Sequence, residues 1–115
     1  MPGKGRLDRC TCVAYGLLVS ARRVKVMADY YAFPLWPEAG LLLSDELRRQ
    51  LEQWGGDYTD TLRSNGYAWP NTTVQTDWNE RGRRLAARVQ HELGTDYEVV
   101  FFDEVTQTTE PVQPS

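Results

Sequence analysis

The sequence predicts a small single α+β domain, ordered strand, helix, helix, strand, with a two-helix hairpin packed on a two- or three-stranded sheet. Three observations predict it. Val24, Val26 and Ala28 alternate with Lys25, Met27 and Asp29 as the two faces of a half-buried strand do. Residues 44–93 then hold two stretches with apolar residues at helical spacing, separated by Asn65-Gly66. A second strand-like run, residues 97–103, closes the pattern. At 115 residues and 41% apolar content the chain is long enough for one modest core and too short for two domains.

The first element is preceded by residues 1–23, a basic leader. One reading makes it a disordered extension or an over-long gene start, with the globular domain running from 24 to 105. The rival reading makes Cys12 to Ser20 a strand, turned back by Ala21 to Arg23 to pair with residues 24–30. Val19-Ser20-Ala21 has the small-residue spacing of a signal-peptide cleavage site. Thr11, Tyr15 and Gly16 interrupt the apolar stretch before it, and Arg22-Arg23 follow it, so a cytoplasmic location is expected. No apolar run reaches the length of a membrane span.

Where the first strand gives out, residues 29–37 read Asp-Tyr-Tyr-Ala-Phe-Pro-Leu-Trp-Pro and carry four of the chain's thirteen aromatic residues. Pro34 and Pro37 stiffen the stretch, so its rings are presented at low entropic cost. Ser44 reads as the N-cap of the first helix, with Asp45 and Glu46 in the first turn where the helix dipole favours acids. Leu47, Leu51, Trp54, Tyr58 and Leu62 form its apolar stripe, and Gly55-Gly56 predicts a kink or an early stop. Residues 67–73 read as loop.

The second helix is expected to open at Thr76 or Asp77, where Asp77 and Glu80 have capping-box spacing. Trp78, Gly82, Leu85, Ala86, Val89 and Leu93 share one face, Arg81, Arg84 and Arg88 another, and Gly94 ends it. Residues 97–103 are apolar on both faces, which predicts a central position in the sheet. Residues 106–115 are polar and proline-bearing and read as a disordered tail. With the helices on one side, Val100 and Phe102 need covering by the leader or by a second copy, so a homodimer is an open option.

The net charge of −3 hides a split: residues 1–26 carry +5 and residues 27–115 carry −8. An acidic body attracts basic surfaces and repels phosphate, which disfavours nucleic acid as a partner. Cys10 and Cys12 lack the further ligands that a zinc site needs, and His91 is the only imidazole. No cofactor, metal or catalytic residue is therefore expected. Trp54 and Trp78 fall on the apolar faces of the two helices as core residues, whereas Trp36 and Trp69 sit in loops beside prolines, either as lids over the core or as anchors for a partner.

The segments Val24 to Tyr30, Pro34-Leu35-Trp36, Leu42 to Ser44, Gly82 to Ala86 and Tyr97 to Phe102 resemble a group of small actinobacterial proteins over residues 24–104. Members of that group look like neighbours of secreted polymorphic toxins, and the resemblance implies an immunity protein. The expected activity is non-enzymatic neutralisation of a cognate toxin by covering a basic surface on it. The candidate contact residues are Asp29, Tyr30, Tyr31, Trp36, Asp57, Asp60 and Trp69. The alternative is a small regulator whose arginine face contacts nucleic acid or a phosphate ligand.

Overall fold

The computed structural model describes residues 22–37 and 40–112. Its elements are β1 (Arg22–Val26), β2 (Leu35–Trp36), α1 (Asp45–Arg63), α2 (Thr72–Leu93), a single 3-10 turn (Gly94–Asp96), β3 (Tyr97–Asp103) and β4 (Thr108–Pro111). The four strands form one mixed sheet in the order β2-β1-β3-β4. β1 and β3 run parallel, with Val24 beside Val99 and Val26 beside Phe101, whereas both outer pairs are antiparallel. Parallel neighbours need a long crossover, and the α1–α2 hairpin supplies it.

The expected α+β architecture is present, with the hairpin on a sheet of four strands rather than two or three. β1 begins at Arg22, two residues ahead of Val24, and ends at Val26, so Asp29 and Tyr30 lie in the turn beyond it. β3 pairs with β1 along its whole length and β2 with Lys25 and Val26 only; residues 12–20, expected to pair with this strand, lie outside the described residues. Residues 1–21, and with them most of the leader, lie outside the described residues.

Ser44 caps α1 as expected, its hydroxyl accepting from the Leu47 amide at 3.2 Å. The same residue ties the start of α1 to the end of α2: its amide and hydroxyl donate to the Glu92 carboxylate at 2.7 and 2.8 Å. The helix runs unbroken through Gly55-Gly56, so the early stop offered by those glycines does not occur. Close packing accounts for Gly55, where a Cβ would stand 3.3 Å from Cδ of Pro34. α2 starts at Thr72, earlier than expected, because the Asn71 side chain accepts from the Val74 amide at 2.9 Å. Asn71 directly follows Pro70, and the cap lies ahead of Asp77, whose capping-box partner Glu80 instead pairs with Arg83 one turn on.

The core lies between the hairpin and one sheet face. Val24, Val26, Leu35, Val99 and Phe101 come from the strands, Leu47, Leu51 and Trp54 from α1, and Trp78, Ala86 and Val89 from α2. Gly82 leaves room for the Trp54 ring of α1: a Cβ there would stand 2.2 Å from Cζ2 of Trp54 and 3.0 Å from Phe101. β3 is central, as its two-sided apolar pattern requires.

The tail is the main departure. Thr108–Pro111 is an edge strand rather than disordered chain, and Val112 extends its pairing by donating to the Val99 carbonyl at 3.1 Å. Side-chain chemistry holds it. Buried Asp103 accepts the Val105 and Thr106 amides at 2.8 and 3.0 Å, which folds the turn. Arg83 lies over the Phe101 ring and bonds Glu80, Asp103 and Glu110, so one guanidinium joins α2, β3 and β4. Pro111 is tolerated because, among the described residues, β4 has a neighbour on one side only.

Candidate functional site

Parallel β1 and β3 both finish at the same end of the sheet, and α1 finishes there too, since Tyr30, just beyond β1, packs against Tyr58 near the end of that helix. The chain after β1 turns sharply: Asp29 Oδ1 accepts the Tyr30 amide at 2.8 Å and its carbonyl accepts the Ala32 amide at 3.3 Å. Tyr31 takes a φ of 60°, a left-handed conformation that costs a bulky residue on the order of 1–2 kcal/mol. Its amide is held by the buried Thr59 hydroxyl at 3.2 Å, and its ring is turned outward, 75% exposed, with the Arg63 guanidinium 5.6 Å from the ring centre.

A ladder of rings leads from this surface into the core. Tyr67, Tyr30 and Tyr58 follow one another at 5.8 and 5.2 Å, Tyr58 meets Trp78 at 5.3 Å, and Trp78 stacks on Trp54 at 4.3 Å. Trp69 closes the ladder from the side, 6.0 Å from Tyr58 and 5.1 Å from Trp78. The outer rings are therefore braced by the core.

Carboxylates surround that ladder. Asp29 and Asp60 are exposed and form no ion pair among the described residues. Burial pushes the Tyr58 phenol up to about 12, with the negative charge of Glu104 and then the Tyr30 and Asp29 neighbours adding to it. Burial also raises Glu104, helped by the adjacent Asp103 charge, although a Gln107 hydrogen bond opposes the rise. Burial leads both shifts, and the neighbouring negative charges add to them.

The structure thus brings together Asp29, Tyr30, Tyr31 and Asp60, with Trp69 supporting the rings and only half-buried. Asp57 is close by but already engaged, its carboxylate 2.9 Å from the Arg81 guanidinium. Trp36 stands apart. It lies in the edge strand β2 rather than in a loop, opposite Lys25, with its indole N–H donating to the Met27 carbonyl at 3.0 Å. Leu35 faces the core, so Trp36 faces the other side of the sheet, away from the hairpin. Two further members are Tyr67, 67% exposed after Gly66, and Glu104, just past β3. Tyr67 has the signal of an aromatic residue beside the Asn65-Gly66 turn, whereas Glu104 is distinguished only by the parallel register.

On the flank of the hairpin, Arg81, Arg84 and Arg88 line a groove with Gln50 and Gln53. Arg81 is paired with Asp57, and Arg88 donates to the side-chain oxygen Oε1 of Gln50. His91 is exposed in the last turn of α2. Among the described residues no group of three or more His, Cys, Asp or Glu stands close enough to hold a metal ion, and no helix is long and apolar enough to cross a membrane.

A family model described as Serratia CdiI immunity protein-like matches residues 22–104, from the first residue of β1 to Glu104 at the acidic end. The chain belongs to that family. A comparison with curated proteins finds no match. As a CdiI-like immunity protein the chain acts by binding a cognate toxin, and the matched span contains the ring ladder and each carboxylate of the acidic end.

Proposed function

We propose that this immunity protein neutralises its toxin in the cytoplasm by laying the acidic, aromatic end of the domain over a basic surface of the toxin. The observation that carries the reading is the convergence of Asp29, Asp60 and Glu104 with the exposed rings of Tyr31 and Tyr67 at the shared end of β1, β3 and α1. Rigid aromatic residues supply contact area with little entropy to lose, and carboxylates around them steer a cationic partner and reject acidic ones. The strained backbone of Tyr31 fits this role, because the fold holds the ring in solvent where it packs little of the core.

The test is titration of the purified protein with its cognate toxin domain at low and high salt. A charge-steered interface shows an association rate that falls steeply between about 50 and 500 mM salt, with dissociation changing little. An association rate indifferent to salt contradicts the proposal, as does a toxin bound equally well after Tyr31→Ala and Asp60→Lys.

A further inference from the structure

α1 carries one glycine that the fold does not explain. Gly55 makes room for Pro34 and Gly82 for Trp54, but a Cβ at Gly56 would meet nothing within 4 Å among the described residues. Gly56 is exposed in the middle of a 19-residue helix, where glycine costs about 1 kcal/mol against alanine. Such a local cost with no packing return marks a place shaped for something outside the domain.

Gly56 lies on the floor of a surface cavity of about 270 Å³ between α1 and the turn that follows β1. Tyr31 and Phe33 line one side, with the Arg63 guanidinium 5.6 Å from the Tyr31 ring centre and the Arg48 guanidinium 5.9 Å from that of Phe33, so part of each ring already meets a cation of the domain. Glu52 and Asp60 stand one turn before and one turn after Gly56 on the same helix face, and neither forms an ion pair among the described residues. The cavity therefore combines an aromatic wall, a bare backbone floor and a carboxylate at either end.

We infer that this cavity receives a single arginine side chain of the toxin, its guanidinium lying over the bare Gly56 backbone between Glu52 and Asp60. The inference rests on the immunity reading above and names the partner group for one part of that interface. A planar guanidinium stacks on aromatic rings and bonds a carboxylate through two parallel N–H groups, so it uses both features of the cavity. A lysine ammonium, compact and more strongly hydrated, would use the carboxylates and leave the aromatic wall idle. A side chain at position 56 would occupy the space that the guanidinium needs.

Gly56→Leu separates stability from binding. It raises the urea midpoint or leaves it unchanged, because leucine is the better helix former and has open space, while toxin affinity falls at least tenfold through faster dissociation. Replacing each surface arginine of the toxin with lysine, one at a time, then identifies the occupant: one substitution weakens binding to the wild-type protein and has no further effect on Gly56→Leu. Gly56→Leu binding as tightly as wild type overturns the cavity assignment and leaves the immunity reading standing. Coupling to a toxin lysine instead of an arginine overturns the arginine assignment. A wild-type protein that does not bind the toxin overturns both.

Discussion

Trp54 and Trp78 hold the helix hairpin together through a reciprocal pair of hydrogen bonds: each indole N–H donates to the other's backbone carbonyl, both at 2.9 Å, while the rings stack 4.3 Å apart and 7° from parallel. Two large rings are thereby buried with both polar atoms satisfied, and the ladder that braces Tyr30 ends on this pair. Trp78→Phe keeps most of the ring but removes one donor and part of the stack. Its urea midpoint should correspond to a loss of about 2 kcal/mol, and an unchanged midpoint would mean that the pair contributes little.

Gly82 sits directly beneath that pair. Gly82→Ala improves helix propensity by about 1 kcal/mol, yet its methyl group would stand 2.2 Å from Trp54, so overpacking wins. The variant is expected to lose about 2 kcal/mol, with the near-ultraviolet circular dichroism of the tryptophans altered. A gain in stability would show that the helices can separate freely.

Burial pushes the Asp103 carboxyl up, but the Thr106 and Val105 amides, Arg83 and Asn79 together outweigh it and hold the group below its usual value of 3.8. A lowered folded-state value means that its stabilisation is complete above the unfolded value, near 4, and is lost as pH falls through the folded one. Wild-type stability measured by urea should fall below about pH 4, and part of that fall should vanish in Asp103→Asn. The variant itself should be about 2 kcal/mol less stable at pH 7, because Arg83 and two turn amides lose a charged acceptor. A pH dependence identical in the two proteins would contradict the assignment.

Tyr58 titrates at the alkaline limit. Its phenol is raised from 10.0 to about 12, so its contribution to stability is complete below pH 10 and is lost as pH rises towards 12. Absorbance at about 295 nm should show a tyrosine ionisation near pH 12, and Tyr58→Phe should remove that step. A titration with no such step, or one in which it survives Tyr58→Phe, would contradict the burial assigned to Tyr58.

Much of the fold was legible because local patterns agreed with the tertiary outcome. Leu47, Leu51, Trp54 and Leu62 lie in the core as their spacing required, Ser44 caps α1, and Gly94 ends α2 with a φ of 78°. What escaped depends on contacts distant in sequence. The strand at Thr108–Pro111 is polar and looks like tail; it forms because Asp103 folds the turn and Glu110 meets Arg83 from the middle of α2. The parallel register of β1 with β3 brings Asp29 and Glu104 to the same end of the sheet, which no local pattern encodes. Trp36 looked like a loop anchor because two prolines flank its stretch, yet two residues suffice for an edge strand. The immunity role reached the sequence reading through resemblance alone, and the family match over residues 22–104 bears it out.

The central claim is that the acidic, aromatic end, not the arginine groove on the hairpin flank, meets the toxin. It is tested most directly by the dissociation constant of the toxin complex for two charge reversals, Asp29→Lys with Asp60→Lys, and Arg84→Glu with Arg88→Glu. All four positions are exposed and outside the core; because Asp29 also accepts the Tyr30 amide, the aspartate reversal counts only with a urea midpoint close to that of wild type, and Asp60→Lys alone should weaken binding in the same direction. The aspartate reversal should weaken binding at least a hundredfold, about 2.7 kcal/mol, and abolish protection in cells that express the toxin, whereas the arginine reversal should leave both within about threefold of wild type. Full protection by the aspartate reversal together with its loss in the arginine reversal would contradict the account and move the interface to the groove.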